Sequence, residues 1–219
     1  MPLSSCGSSS TSNPFLHVYH KRCLELARQS PCLKRRYGAI VAATISSCGG
    51  LILGEGFNRS VATNDCHTCL RLAIPSGTQL ERCWAIHAEQ GALIEMLRHE
   101  LYPVSDLIRL DLWACGALPD GSPAILERPF FSCSLCARMA MACGITHIVL
   151  PMRAGPVWVP MSTALDQAMQ VARGECDASG QVLNRADALA LPAVPSHTGL
   201  GDTWLPHWPM NNRDDHHQV

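Results

Sequence analysis

Four side chains in this sequence could do chemistry together: His87 and Glu89 in WAIHAEQGAL, and Cys133 and Cys136 in FFSCSLCARM. Alone, His-x-Glu reads as a core histidine beside a surface carboxylate, and Cys-x-x-Cys is a weak signal in a chain with twelve cysteines. Position strengthens both. Cys133 and Cys136 fall where an extended segment turns into a predicted helix, and free N–H groups and the helix dipole favour thiolates there. His87 and Glu89 fall in the first turn of another predicted helix. Two residues apart on a regular helix point about 200° from one another, so the two are read as a metal ligand and a neighbouring carboxylate rather than as a ligand pair.

One His and two Cys give three protein ligands and leave the fourth position of a tetrahedral zinc open, which is the catalytic pattern; four protein ligands is the structural one. Zinc can lower the pKa of its water from 15.7 to about 7, supplying a nucleophile at neutral pH. A carboxylate beside it can move the proton to a ring nitrogen and a departing amine. Those are the parts of a hydrolytic deamination.

The elements that must position these groups can be read along the chain. Residues 1–13 are Ser-rich and expected to be disordered. Asn13-Pro14 opens a helix over about 14–29 that stops before Pro31. YGAIVAATIS and GLILGEGFN, separated by Ser47-Cys48-Gly49-Gly50, predict an antiparallel strand pair. Residues 59–83 read as a long polar loop carrying three cysteines, and a loop of that length needs a function or a clamp. Residues 85 to about 99 predict a second helix, LIRLDLWACG a third strand, and PDGSP a turn. Ser134–Cys143 predicts a helix closed by Gly144, THIVLP a short buried strand, and STALDQAMQVARG a last helix with a Ser162 cap. This order implies a mixed sheet with helices on its faces. The domain is expected over 14–175, followed by a partly disordered tail, 176–219, that carries Trp204, Trp208, His216 and His217.

Length and a 47% hydrophobic share suit one domain with a sizeable core. With 17 Lys+Arg against 18 Asp+Glu the charge is -1, so nucleic acid is not the expected partner. The basic run Lys34-Arg35-Arg36 reads as a solvated face. The N-terminus shows no basic-then-apolar leader and no stretch suits a membrane span, so a cytoplasmic location with reduced thiols is expected. Cys23, Cys48, Cys115 and Cys143 read as small core residues, Cys6 and Cys176 as incidental thiols, and Trp84 as a pocket residue or an anchor for the helix start. His147 reads as structural.

His87-Ala88-Glu89 followed by Cys133-x-x-Cys136, each opening a helix after a strand pair, resembles the zinc-dependent cytidine/deoxycytidylate deaminase superfamily. RRYGAIV, GEGFN, Cys83 shortly before IHAEQGAL, and CARMAMACGI extend the resemblance to the deoxycytidylate branch over about residues 14–151. It implies an α/β fold, a three-layer α-β-α sandwich around a mixed sheet of about five strands. It implies zinc on His87, Cys133 and Cys136, proton transfer by Glu89, a pyrimidine carbonyl at the Ala88 N–H and a sugar contact by Asn58. The substrate implied is a free nucleotide or nucleoside, deoxycytidylate first, and the subunits are expected to form a homo-oligomer. Some members carry a second, structural zinc, for which Cys32, Cys66, Cys69 and Cys83 are placed, with His67 as a substitute for one of them.

The sequence departs from the pattern at three places. Ser132 stands where Pro is usual before the first Cys, about a dozen extra residues (ALPDGSPAILER) precede the Cys pair, and Gln90-Gly91 follows the Glu. Two rival readings remain: a deaminase of another base (guanine, adenosine, tRNA or a modified base), and a non-catalytic module held by a structural zinc.

Overall fold

The computed structural model describes residues 14–45, 49–61, 69–98 and 107–183. The elements are α1 (Pro14–Gln29), β1 (Arg36–Ile45), β2 (Gly49–Phe57), β3 (Arg59–Ser60), β4 (Ala85–Ile86), α2 (Ala88–Arg98), β5 (Leu107–Ala117), β6 (Pro123–Ala124), α3 (Ser134–Ala142), β7 (His147–Met152), β8 (Gly155–Pro160) and α4 (Met161–Ala172). Residues 1–13, the turn at Ser47-Cys48 and the tail from 184 onward, with Trp204, Trp208, His216 and His217, lie outside the described residues.

The main sheet runs β2-β1-β5-β7-β8, with short β6 hung on β5. β5 and β7 are parallel and the other pairs antiparallel, so the sheet is mixed. Alternation along the central strands sorts side chains between two cores. Ala39 and Val41 of β1 and Leu112 and Ala114 of β5 face the helices α2, α3 and α4, packing with Leu93, Ala137 and Ala164. Ile40, Ala42, Trp113 and Cys115 face α1, packing with Tyr19, Cys23 and Leu26. The result is a three-layer α/β sandwich: α1, the sheet, then α2 with α3 and α4.

Glycines set how closely the helices approach. A Cβ at Gly38 of β1 would lie 2.1 Å from the Cys23 carbonyl oxygen of α1. On β2, a Cβ at Gly54 would lie 2.2 Å from the Ala92 oxygen, and one at Gly56 would lie 2.4 Å from the Ala88 oxygen. The GEG of β2 therefore forms a bare track on which the backbone of α2 rests.

Four expectations are corrected. β8 is a strand that the sequence did not signal, because GPVWVP carries two prolines, and prolines in a sheet are best tolerated at an edge, where β8 lies. Its Trp158 indole N–H donates to the buried carboxylate of Asp111 on β5 at 3.2 Å. The second helix begins at Ala88 and not at 85, because Ala85 and Ile86 pair with Ser60 and Arg59. The last helix begins at Met161 behind Pro160, with no side-chain cap, so Ser162 sits inside its first turn. The segment 59–83 is interrupted by β3, a run of turns and a 3-10 turn at Leu80–Arg82.

Cys23 and Cys115 are core residues as expected, Cys143 packs against the larger core, and Cys176 is buried at 4% exposure rather than incidental. Among the described residues no helix is long and apolar enough to cross a membrane.

Candidate active site

The local structure at His87 explains its setting. β4 ends at Ile86 and α2 starts at Ala88, so His87 is the capping residue between them, outside the helix where Glu89 lies. Its carbonyl accepts from Gly91 N at 2.9 Å, and its own N–H donates to Gln90 Oε1 at 3.0 Å. Gln90 thus reaches back as the third residue of a capping box does, which gives the unusual residue after the Glu a structural task. Freed from helical geometry, the His87 ring can turn toward α3.

Cys133 holds the matching position at the start of α3. Its backbone is extended (φ -96°, ψ 100°), and its sulfur accepts from the backbone N–H of Cys136. Two helix N-termini therefore converge, each opening on a candidate ligand. His87 Nδ1 lies 3.3 Å from both Cys133 Sγ and Cys136 Sγ, and the two sulfurs are 3.0 Å apart. Zn–S and Zn–N bonds of about 2.3 and 2.0 Å put tetrahedral ligand atoms roughly 3.5–3.8 Å apart, so these donors need to spread only slightly to hold zinc. Among the described residues they are the one His/Cys/Asp/Glu group whose donor atoms all lie within 4.8 Å of one another. The donor set, two thiols and an imidazole, fits zinc.

Glu89 stands beside them, 7% exposed, with Oε2 3.8 Å from Cys136 Sγ. Burial first, and the Cys133 sulfur second, push its carboxyl above the ordinary glutamate range. Cys133 is pulled well down, by hydrogen bonding from Cys136 and then by His87 working against burial. Burial pushes Cys136 the other way. Burial also acts to lower the pKa of His87, but its bonds to Cys133 and Cys83 overcome this and raise it to about 11. Lowered at Cys133 and raised at His87, the two shifts show a site that favours a charged sulfur, the form that binds a divalent cation.

His87, Glu89 and Cys133 line one cavity of about 170 Å³, and Cys136 lies fully buried behind them. Its wall includes Tyr37, Phe130 and Phe131 and three cations, Lys34, Arg35 and Arg71. The sequence placed Lys34 on a solvated face. Instead its ammonium is half-buried and donates to the carbonyls of Arg71, at 2.6 Å, and of Ile74. Arg71 had no local signal at all, because its guanidinium is held by the carbonyls of Pro75 and Thr78 in the irregular loop around it, which no side-chain pattern announces. The turn that follows α4 closes another side. Asp177 N donates to Gln181 O and Leu183 N to Glu175 O, Ala178 lines the cavity, and Gly180 (φ +82°) lies against the Phe130 ring.

Asn58 also lines the cavity, but its side chain braces the local backbone. Oδ1 accepts from Tyr37 N at 2.6 Å and from Ser30 Oγ at 3.1 Å, and Nδ2 donates to Arg35 O at 2.9 Å. Ala88 is fully buried, the first residue of α2, where backbone N–H groups have no partner within the helix. Trp84 points away, 74% exposed. Of the residues placed on a second zinc, Cys32, Cys69 and Cys83 line the cavity without bringing their donors within 4.8 Å of one another, while Cys66 and His67 lie outside the described residues.

No protein-family model and no curated protein matches the chain. Among solved structures, the chain is similar to a cytidine deaminase from Burkholderia pseudomallei, with 13% identity, 67% of this chain and 92% of that one covered, and a TM-score of 0.38. It is also similar to a cytidine deaminase from Mycobacterium tuberculosis and to a mutant of it, each with 13% identity, 65% and 88% covered, and a TM-score of 0.35. The α/β assignment itself rests on the sheet order and on the helices that cover its two faces.

Proposed function

We propose that this protein is a zinc-dependent hydrolytic deaminase of a cytosine-type nucleotide or nucleoside, with deoxycytidylate as the first substrate to test. The observation that carries the reading is a buried carboxylate, Glu89, set beside a His/Cys/Cys ligand group at the wall of a single cavity. Zinc bound there would supply Lewis acidity and a water activated at neutral pH.

The chain's own groups supply the rest. Glu89, with its carboxyl raised above the ordinary glutamate range by burial, suits a group that takes a proton from water and passes it on. It would deliver protons to the ring nitrogen and to the leaving amine, so that water adds, the C–N bond breaks and ammonia departs. The Ala88 N–H, at the positive end of α2, suits the pyrimidine carbonyl. Asn58 keeps one amide hydrogen beyond those its hydrogen bonds use, enough for a sugar hydroxyl. Lys34, Arg35 and Arg71 on the wall favour a substrate with an anionic substituent, which supports a nucleotide over a free base. Assembly into a homo-oligomer belongs to the same reading.

The test is ammonia release by zinc-loaded protein offered dCMP, dCTP, cytidine, deoxycytidine, cytosine, guanine and adenosine. Turnover of dCMP above the others is expected. Turnover of purines alone would replace the pyrimidine assignment, and metal retention without turnover of any base would leave a structural zinc module.

A further inference from the structure

The segment ALPDGSPAILER, which lengthens the approach to the Cys pair, is tied into the main sheet rather than looped away from it. A turn closes its start. Gly121 N donates to Leu118 O and Leu118 N to Ser122 O, both at 2.8 Å, with Gly121 in the left-handed region (φ +82°) that favours glycine. Arg28 of α1 holds that turn through Gly121 O at 2.8 Å. β6 then pairs with β5, and Leu126 N donates to Pro151 O of β7 at 3.1 Å. Ala124 and Leu126 therefore reach the cavity wall on a fixed backbone.

There they join a row of the sheet that is shaped around a tyrosine. Tyr37 of β1 is the register partner of Gly116 of β5, and Gly116 is the partner of Ala124 of β6. Gly116 has no side chain to fill the middle of that row: a Cβ there would lie 3.3 Å from Tyr37 Cε1 and 3.1 Å from the Ala124 methyl. The Tyr37 ring thus takes one side of the gap over bare backbone, and the inserted alanine takes the other. Ala114, Leu126 and Leu150 add to this floor, and the main sheet's share of the wall is apolar but for the Tyr37 hydroxyl. The space left is about 170 Å³, below the roughly 300–1,000 Å³ of common small-molecule pockets. A planar base has to lie against this floor in little room, and the two large side chains occupy space that a second fused ring would need.

We propose that Tyr37 and the inserted Leu126 are specificity-determining residues of the cavity: with the ring set over Gly116 and the leucine fixed by the insert, the sheet floor takes one aromatic ring and excludes a fused pair. This rests on the reading of the cavity as the substrate site of a deaminase, and it gives the insert the task of selecting pyrimidine over purine.

The test compares dCMP with dAMP on the zinc-loaded full-length chain, as kcat/KM from ammonia release and as Kd from calorimetry. Wild type should favour dCMP in both. Tyr37→Ala and Leu126→Ala should each narrow that preference by at least about tenfold through better use of dAMP, while Tyr37→Phe, which keeps the ring, should hold the wild-type ratio. Zinc content and thermal midpoint are followed throughout, and Leu126→Ala, on a separate segment, carries the test if Tyr37→Ala does not fold. An unchanged ratio in the alanine variants would overturn the proposal, as would an equal loss for both nucleotides, which would make the two residues merely structural. A narrowing in Tyr37→Phe would assign selection to the hydroxyl and not to the ring, and equal affinity of wild type for dCMP and dAMP would leave no selection to explain; either result overturns it. Preferential binding of dCMP that narrows in the alanine variants, without turnover of either nucleotide, would uphold the selection and remove the deaminase reading.

Discussion

Glu89 and His87 are two residues apart, yet they reach different positions because one lies inside a helix and the other caps it. The cap frees the imidazole to meet two thiols from a segment 46 residues away, while the helix carries the carboxylate to the neighbouring position. The proton transfer proposed for Glu89 makes a sharp demand on it. Glu89→Gln keeps the shape and the buried packing and removes the titrating group, so turnover should fall by about 10²–10⁴-fold. Zinc content, measured on the same sample by atomic absorption, should match wild type. A loss of zinc in parallel with turnover would make Glu89 a ligand.

At the scale of elements, the position of that cap depends on β2. The track formed by Gly54 and Gly56 lets the α2 backbone lie against the sheet, and the Gly56 track faces the first turn, next to His87 and Glu89. Gly56→Ala adds a methyl 2.4 Å from the Ala88 oxygen and 2.5 Å from the Ala92 nitrogen, both of them backbone atoms that cannot swing aside. Denaturant melts should show a loss of about 1–3 kcal/mol, typical of forced overpacking, accompanied by weaker zinc binding as the helix end shifts. Much of this level is legible in the sequence. α1, the β1–β2 pair and α3 follow from hydrophobic period, Pro and Gly punctuation and strand-forming runs, and they appear where those signals place them. What the sequence hides is set by partners. β8 hides behind its prolines until an edge position makes them harmless. The start of α2 is misplaced because a histidine is not among the usual capping side chains, so only Gln90 three residues later hints at the boundary. The ligand residues are legible because their chemistry is local to two short motifs. Lys34 and Arg71 are not, because their acceptors are carbonyls whose positions the fold alone decides.

The whole molecule is a scaffold that brings one cavity wall from each of several distant segments. The ligands come from the ends of two helices, the cations from the segment after α1 and from the long loop, and the last stretch of wall from the turn at Asp177–Gln181 beyond α4. That turn lies past the point at which composition marks the end of the domain. Cutting the chain after residue 175 would therefore keep His87, Glu89, Cys133 and Cys136 but remove Ala178 and the glycine that packs on Phe130. Such a protein should load the same zinc as the full chain and show a KM raised about tenfold, equivalent to roughly 1.4 kcal/mol of lost binding. An expression boundary drawn from the ligand motifs alone would, on the proposed function, keep the metal and damage the pocket that the substrate has to fill.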